Sequence, residues 1–250
     1  MPINFPQKTG NPALKAKAFQ QPGVVTGARM TVNGTIGKSL IMLALLILTA
    51  GWCWSQFITT HNPAAVMPYV IGGVIGGLVF GIATPFKPTW APVTAPLYAI
   101  CEGFAVGGIS ALFNAQYPGI VIQAVGLTMA VALGMLILYR TGIIKATPFF
   151  YRIVAAATFG ILIFYALTWI VSMFHVDTSM LFGHSGLSIG ISLFIVAVAA
   201  LNLILDFDLI SKQATAGAPR YMEWYGAFAL MVTLVWLYLE ILRLLGNTRR

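Results

Sequence analysis

Seven runs of about twenty consecutive apolar residues, each closed by a short connector rich in proline, glycine or polar residues, constrain this chain more than any other feature. They cover residues 40–57, 68–84, 94–114, 119–139, 153–174, 187–210 and 224–245. At about 1.5 Å per residue, each is long enough as a helix to cross a hydrocarbon core of about 30 Å. The connectors hold the breakers: His61-Asn62-Pro63, Pro85-Phe86-Lys87-Pro88, Gln116-Tyr117-Pro118, Gly142 and Gly217-Ala218-Pro219. None can fold alone, so length counts spans here and not soluble domains.

Composition agrees. The chain is 59% hydrophobic and 8% charged, where a soluble domain carries about a quarter charged residues. Backbone in lipid must satisfy its own hydrogen bonds, and the ten-residue alternation of an outer-membrane barrel is missing, so helices are required. The expected fold is all-α: a polytopic bundle of seven transmembrane helices over 39–246, preceded by a disordered basic tail over 1–38 and followed by a short tail, 247–250. The tail is too long, polar and proline-rich for a secretory signal.

Lys8, Lys15, Lys17, Arg29 and Lys38 precede the first span. Lys87, Arg140, Lys145, Arg152, Lys212 and Arg220 lie in or beside the even connectors. The odd connectors carry no Lys or Arg, so the positive-inside rule places the N-terminus in the cytoplasm, and in the inner membrane if the source is bacterial. Arg249 and Arg250 then fall outside, which leaves a re-entrant last segment as the alternative. The net charge of +8 follows from this bias and from attraction to anionic lipid, so no nucleic acid is implied.

Several residues read as structural. Cys53 and Cys101 sit in separate spans as small apolar packers. Gly72, Gly73, Gly76, Gly77 and Gly81 make overlapping small-xxx-small repeats that suit tight helix packing or dimerisation, and Gly103, Gly107, Gly186 and Gly190 continue the pattern. His61, His175 and His184 lie in outward connectors. Trp52, Trp54, Trp90 and Trp224 near span ends read as interfacial anchors.

The acids are more informative. An ionised carboxylate at the bilayer centre costs at least about 2.5 kcal/mol, yet of six acids Glu102, Asp206, Asp208 and Glu240 fall within spans or at their ends. Lys212 at i+4 can neutralise Asp208, and Arg243 at i+3 can neutralise Glu240. Glu102 and Asp206 have no basic residue within a turn, so each requires a partner on another helix, a proton or water. Counting from span ends puts Glu102 about 12 Å in and the aspartates within about 6 Å of the same face. Those three are expected to approach one another. Glu240, about 24 Å along the last span, faces the other side. Asp206 and Asp208, two apart, point in nearly opposite directions.

Staggered oxygen ligands suit passage of hard cations, with Asp206 and Asp208 as candidate calcium contacts. They also suit proton sensing, since desolvation and a neighbouring negative charge both disfavour ionisation and a shared proton belongs to the pair. No cofactor is expected; calcium or protons enter as permeant ions.

Leu205-Asp206-Phe207-Asp208-Leu209-Ile210 in the sixth span resembles the aromatic-Asp signature of the Bax inhibitor-1 family of seven-span proteins. The stretch Leu237-Tyr238-Leu239-Glu240-Ile241-Leu242-Arg243-Leu244-Leu245-Gly246 resembles that family's C-terminal helix. The resemblance implies a pH-sensitive calcium leak gated by a carboxylate pair on the last two helices. Asp208 matches the first member by its aromatic-Asp-Leu context. Tyr238-Leu239-Glu240 makes Glu240 the second, whereas matching the Arg243 to Gly246 ending puts Thr233 there. Depth favours Thr233, and Glu102 with Asp206 or Asp208 is the substitute pair.

Other classes are weaker. Gly183-His184-Ser185-Gly186 reads as the G-x-S-G of rhomboid proteases, but no later His supplies a base, and Ser there suits a helix cap. An aspartyl intramembrane protease needs two Asp on neighbouring helices. No enzyme is expected. A proton-coupled transporter would use the same carboxylates but shows no inverted repeat. A regulatory protein acting on a membrane protease or channel partner through its helices would leave no mark.

Overall fold

The computed structural model describes residues 28–60, 62–174 and 185–249. Among the described residues seven helices form, in the order α1 (Val32–Thr60), α2 (Pro63–Phe86), α3 (Ala91–Gln116), α4 (Ile120–Arg140), α5 (Pro148–Met173), α6 (Gly186–Thr215) and α7 (Met222–Thr248), with a 3-10 turn, Pro88–Trp90, leading into α3. All are long and apolar enough to span a membrane, so the protein is an integral, multi-pass, all-helical membrane protein. Large side chains such as Leu48, Leu78, Leu133 and Leu162 stand more than half exposed on the outer surface. Only lipid accommodates such a belt without penalty.

α3 and α7 form the centre. α3 packs on α1, α2 and α7; α7 packs on α1, α3, α4 and α6. Their facing surfaces carry the main core, with Tyr98, Ala99, Val106, Phe228, Met231 and Ile241 all buried. Ser110 and Tyr238 share a buried 2.7 Å hydrogen bond across this seam. α5 lies at the edge on α6, joined by a small apolar cluster, Ile161 with Ile195 and Val198.

Glycines set the closest approaches. A Cβ at Gly73 would lie 2.6 Å from the Cys101 carbonyl oxygen, and one at Gly107 would lie 2.5 Å from that of Ala50. The small-xxx-small faces of α2 and α3 are thus occupied within the chain. Gly186 and Gly190 depart from that pattern: open space faces both, so they do not pack helix on helix. They border a groove between α5 and α6 instead.

α1 begins earlier than the apolar run suggests. The Thr31 hydroxyl accepts from the Gly34 N–H at 2.9 Å, and this N-cap starts the helix at Val32, so residues 32–38 are helical and not tail. Upstream, Met30 N–H donates to the Ala218 carbonyl at 2.7 Å and Arg220 N–H to that of Ala28 at 3.1 Å. Gly217, at φ 69°, makes the left-handed turn that ends α6 and presents Ala218 for this pairing. Residues 1–27, the three histidines and Gly183 lie outside the described residues.

α7 runs unbroken from Met222 to Thr248, which removes the re-entrant alternative. At one end Gly226 meets Met30 and Thr35; at the other, Arg249 donates to the Pro118 carbonyl at 3.1 Å and to Gln123 Oε1 at 2.6 Å. Arg249 therefore lies at the opposite end of the bundle from Met30 and Thr35.

Candidate functional site

The four singled-out acids occupy three different surroundings. Glu102 is on α3, one turn beyond Tyr98, and the i,i+4 spacing sets the tyrosine beside its carboxylate. Both lie against α2 where it has no side chains. A Cβ at Gly77 would come 2.7 Å from Glu102 Oε1, and one at Gly81 would come 3.5 Å from the Tyr98 ring. The α2 glycines, read above as packing residues, also make room for this carboxylate.

Asp206 enters the same space from α6. The Thr233 hydroxyl of α7, which donates to the Ala229 carbonyl of its own helix at 3.3 Å, lies beside the aspartate's carboxyl group, while Asp206 Oδ2 is buried without a hydrogen-bond partner. Glu102, Asp206, Tyr98 and Thr233 line one cavity of about 650 Å³. Val74, Leu78, Ile82 and Val232 at its edge are exposed, so it opens sideways between α2 and α7 toward the membrane. Among the described residues no cation pairs with Glu102 or Asp206.

Asp208 faces away from that cavity, as two-residue spacing requires. It is 8% exposed and accepts from Tyr151 of α5 at 2.7 Å and, more weakly, from Tyr139 of α4 at 3.4 Å. Lys212 completes the cluster at 2.5 Å. Thr233 therefore faces Asp206 and not Asp208, although Asp208 has the aromatic-Asp-Leu context. Helix rotation decides which aspartate of Asp206-Phe207-Asp208 meets α7, and local sequence does not report it.

Glu240 is separate again. Its carboxylate takes a 2.5 Å bond from Tyr165 of α5 and pairs with Arg243 at 2.5 Å. It meets neither aspartate. The groups that complete these sites, Tyr98, Thr233, Tyr139, Tyr151 and Tyr165, were not singled out from sequence as acid partners, apart from Thr233 through its register. Tyr98 alone had a local signal, its one-turn spacing from Glu102.

A fifth acid, Glu223, is also buried, at 3% exposure. It pairs with Lys38 and accepts from the Thr31 N–H at 2.9 Å and hydroxyl at 3.0 Å. It sits at the first turn of α7, where it receives the N-terminal segment. Ser185 caps α6 by accepting from Ser188 N–H at 3.1 Å. Trp52 packs edge-on against Tyr69 and Phe104 at 5.0 and 5.6 Å, inside the helix contacts as well as near a membrane surface.

The arrangement offers acidic oxygens and hydroxyls in a mostly apolar cavity. Among the described residues no group of three or more His, Cys, Asp or Glu gathers as a metal centre. The cavity's two carboxyl groups and two hydroxyls bring at most six oxygens, the lower end of the six to eight of a dedicated calcium cage.

Among curated proteins and among solved structures, no match to the chain is found. The family described as Bax inhibitor 1 like matches residues 11–250, nearly the whole chain. With seven apolar helices and intramembrane carboxylates already in place, the match settles the family: this protein belongs to the Bax inhibitor 1 like family.

Proposed function

We propose that the protein is a pH-sensitive cation leak channel, with calcium as the permeant ion and its N-terminus on the cytoplasmic side. The observation that carries this reading is the cavity shared by Glu102 and Asp206. Two carboxyl groups that no cation pairs with among the described residues, set beside the Tyr98 and Thr233 hydroxyls, attract a cation and exchange protons. Protonation of either removes charge from the path, and deprotonation restores it, so permeation follows pH. Asp208 and Glu240, each held by a basic residue and a tyrosine, brace the helices around the path.

Calcium flux into dye-loaded proteoliposomes, stepped through neutral pH, tests this. The wild-type protein passes calcium at a rate that varies with pH; Glu102→Gln and Asp206→Asn flatten that dependence. Unchanged profiles for both variants, or no flux above empty liposomes, overturn the reading.

A further inference from the structure

We infer that the crevice between α2 and α7 is a binding site for a lipophilic organic cation arriving from the bilayer. The inference deepens the leak reading, since it uses the same acid-lined cavity, but it needs no ion conduction.

Shape points first. A volume of about 650 Å³ lies within the range of small-molecule sites. The mouth opens sideways, and the exposed Val74, Leu78 and Val232 at its rim are apolar. A guest that dissolves in hydrocarbon reaches such a mouth directly from the bilayer.

Charge points the same way. Asp206 Oδ2 is buried and lacks a hydrogen-bond partner, and Glu102 faces the same space without a cation among the described residues. A buried unpaired acceptor is costly, and a cation that fills the cavity relieves it. The titratable neighbours are hydroxyls and a thiol: Tyr98 and Cys101 on α3 beside Glu102, and Tyr151 of α5 near Asp206. None supplies positive charge, and Lys212, over the Tyr151 ring, is paired with Asp208.

The walls select the kind of cation. Phe228 lines the cavity and meets Tyr98 edge-to-face, ring centroids 5.0 Å apart, which sets two aromatic rings beside the carboxyl groups. A quaternary ammonium or phosphonium ion with apolar substituents, weakly hydrated and needing no fixed coordination number, gains from both rings and acids. Calcium, which wants six to eight oxygens, gains less from such walls.

Tetraphenylphosphonium binding to the full-length protein in nanodiscs, read against empty nanodiscs, tests the inference, with tetraphenylborate as the probe of equal shape and opposite charge. Saturable, one-to-one binding of the phosphonium is expected, with no saturable binding of the borate. Combining Glu102→Gln with Asp206→Asn weakens it about tenfold or more, about 1.4 kcal/mol. Val232→Trp, at the rim and clear of both acids, also weakens it if entry is lateral. Linear partitioning, equal binding of the borate, or full affinity in the double variant overturns the site. Binding with no calcium flux sinks the leak reading alone; carboxylate-dependent flux with no phosphonium binding sinks the site alone.

Discussion

The Tyr165 hydroxyl donates to Glu240 and accepts from Arg243, each at 2.5 Å, so one phenol ties the peripheral helix α5 to the central helix α7. Fourteen residues earlier on α5, Tyr151 donates to Asp208 of α6 at 2.7 Å. Midway, Thr158 accepts from the Asn202 amide at 2.8 Å. The three are seven residues apart, two helical turns, and therefore share one face. Because the apolar cluster beneath α5 is small, this polar stripe supplies much of its attachment.

Removing one contact from that stripe tests the attachment. Tyr165→Phe is expected to lower stability by about 1 kcal/mol, the scale of an interhelical hydrogen bond in a membrane protein. Arg243→Ala strips Glu240 of its cation as well and is expected to cost more, about 3–5 kcal/mol. Unfolding of the detergent-solubilised protein, followed by thermal aggregation or denaturant titration, ranks the two. Equal effects would show that the charge pair adds nothing.

Glycine substitutions separate helix contacts from lipid-facing positions. A Cβ at Gly103 would fall 1.8 Å from Thr49 Oγ1 and 2.6 Å from the Leu46 carbonyl oxygen, so Gly103→Ala forces α1 off α3. A loss of about 1–3 kcal/mol is expected. Gly134 on α4 has nothing within 4 Å of the added carbon, so Gly134→Ala is expected to be neutral or to stabilise by up to about 1 kcal/mol. Melting temperatures of the purified variants give the comparison, and a destabilised Gly134→Ala with an unaffected Gly103→Ala would contradict the packing.

The apolar runs located all seven helices because a spanning segment must be long and apolar whatever it packs against. The ends were less legible. Val32 to Leu40 is helical because Thr31 caps it and Glu223, distant in sequence, anchors it, and hydropathy records neither. Depth counting brought Glu102 toward the aspartates, since rise per residue fixes height in the membrane. It could not choose Asp206 over Asp208, because that depends on helix rotation. Nor could it find Tyr151 and Tyr165, which are aromatic residues among many until tertiary packing sets them against acids. The α2 glycines were legible as small, while their partners, Cys101 and Glu102, were not.

Glu223 fastens the N-terminal segment to the end of the bundle. Its carboxylate holds Lys38 and both donors of Thr31, and the segment above them lies along Ala218 and Arg220. Glu223→Ala is expected to free it, so that trypsin cleaves after Arg29 about tenfold faster, a change of about 1.4 kcal/mol in the opening equilibrium. Gly34→Ala acts without altering charge, because the added carbon would lie 2.1 Å from Glu223 Oε1. Limited proteolysis in detergent reads both. Unchanged cleavage in the two variants would mean that main-chain pairing alone holds the segment.

The two aspartates of α6 are expected to part company when neutralised. Asp208 is held by Lys212, Tyr151 and Tyr139; Asp208→Asn weakens all three and leaves the Lys212 charge unmatched. A loss of about 1–3 kcal/mol follows from charge-assisted bonds of this kind. Asp206 has one buried oxygen without a partner and no counter-cation among the described residues. Asp206→Asn removes a poorly compensated charge while keeping a polar group of the same shape, so stability should hold or rise. If the leak proposal is right, the functional ranking inverts: flux keeps its pH dependence in Asp208→Asn and loses it in Asp206→Asn. Measuring unfolding and flux on the same two preparations makes the contrast decisive, because a single nonspecific defect would move both quantities in the same variant.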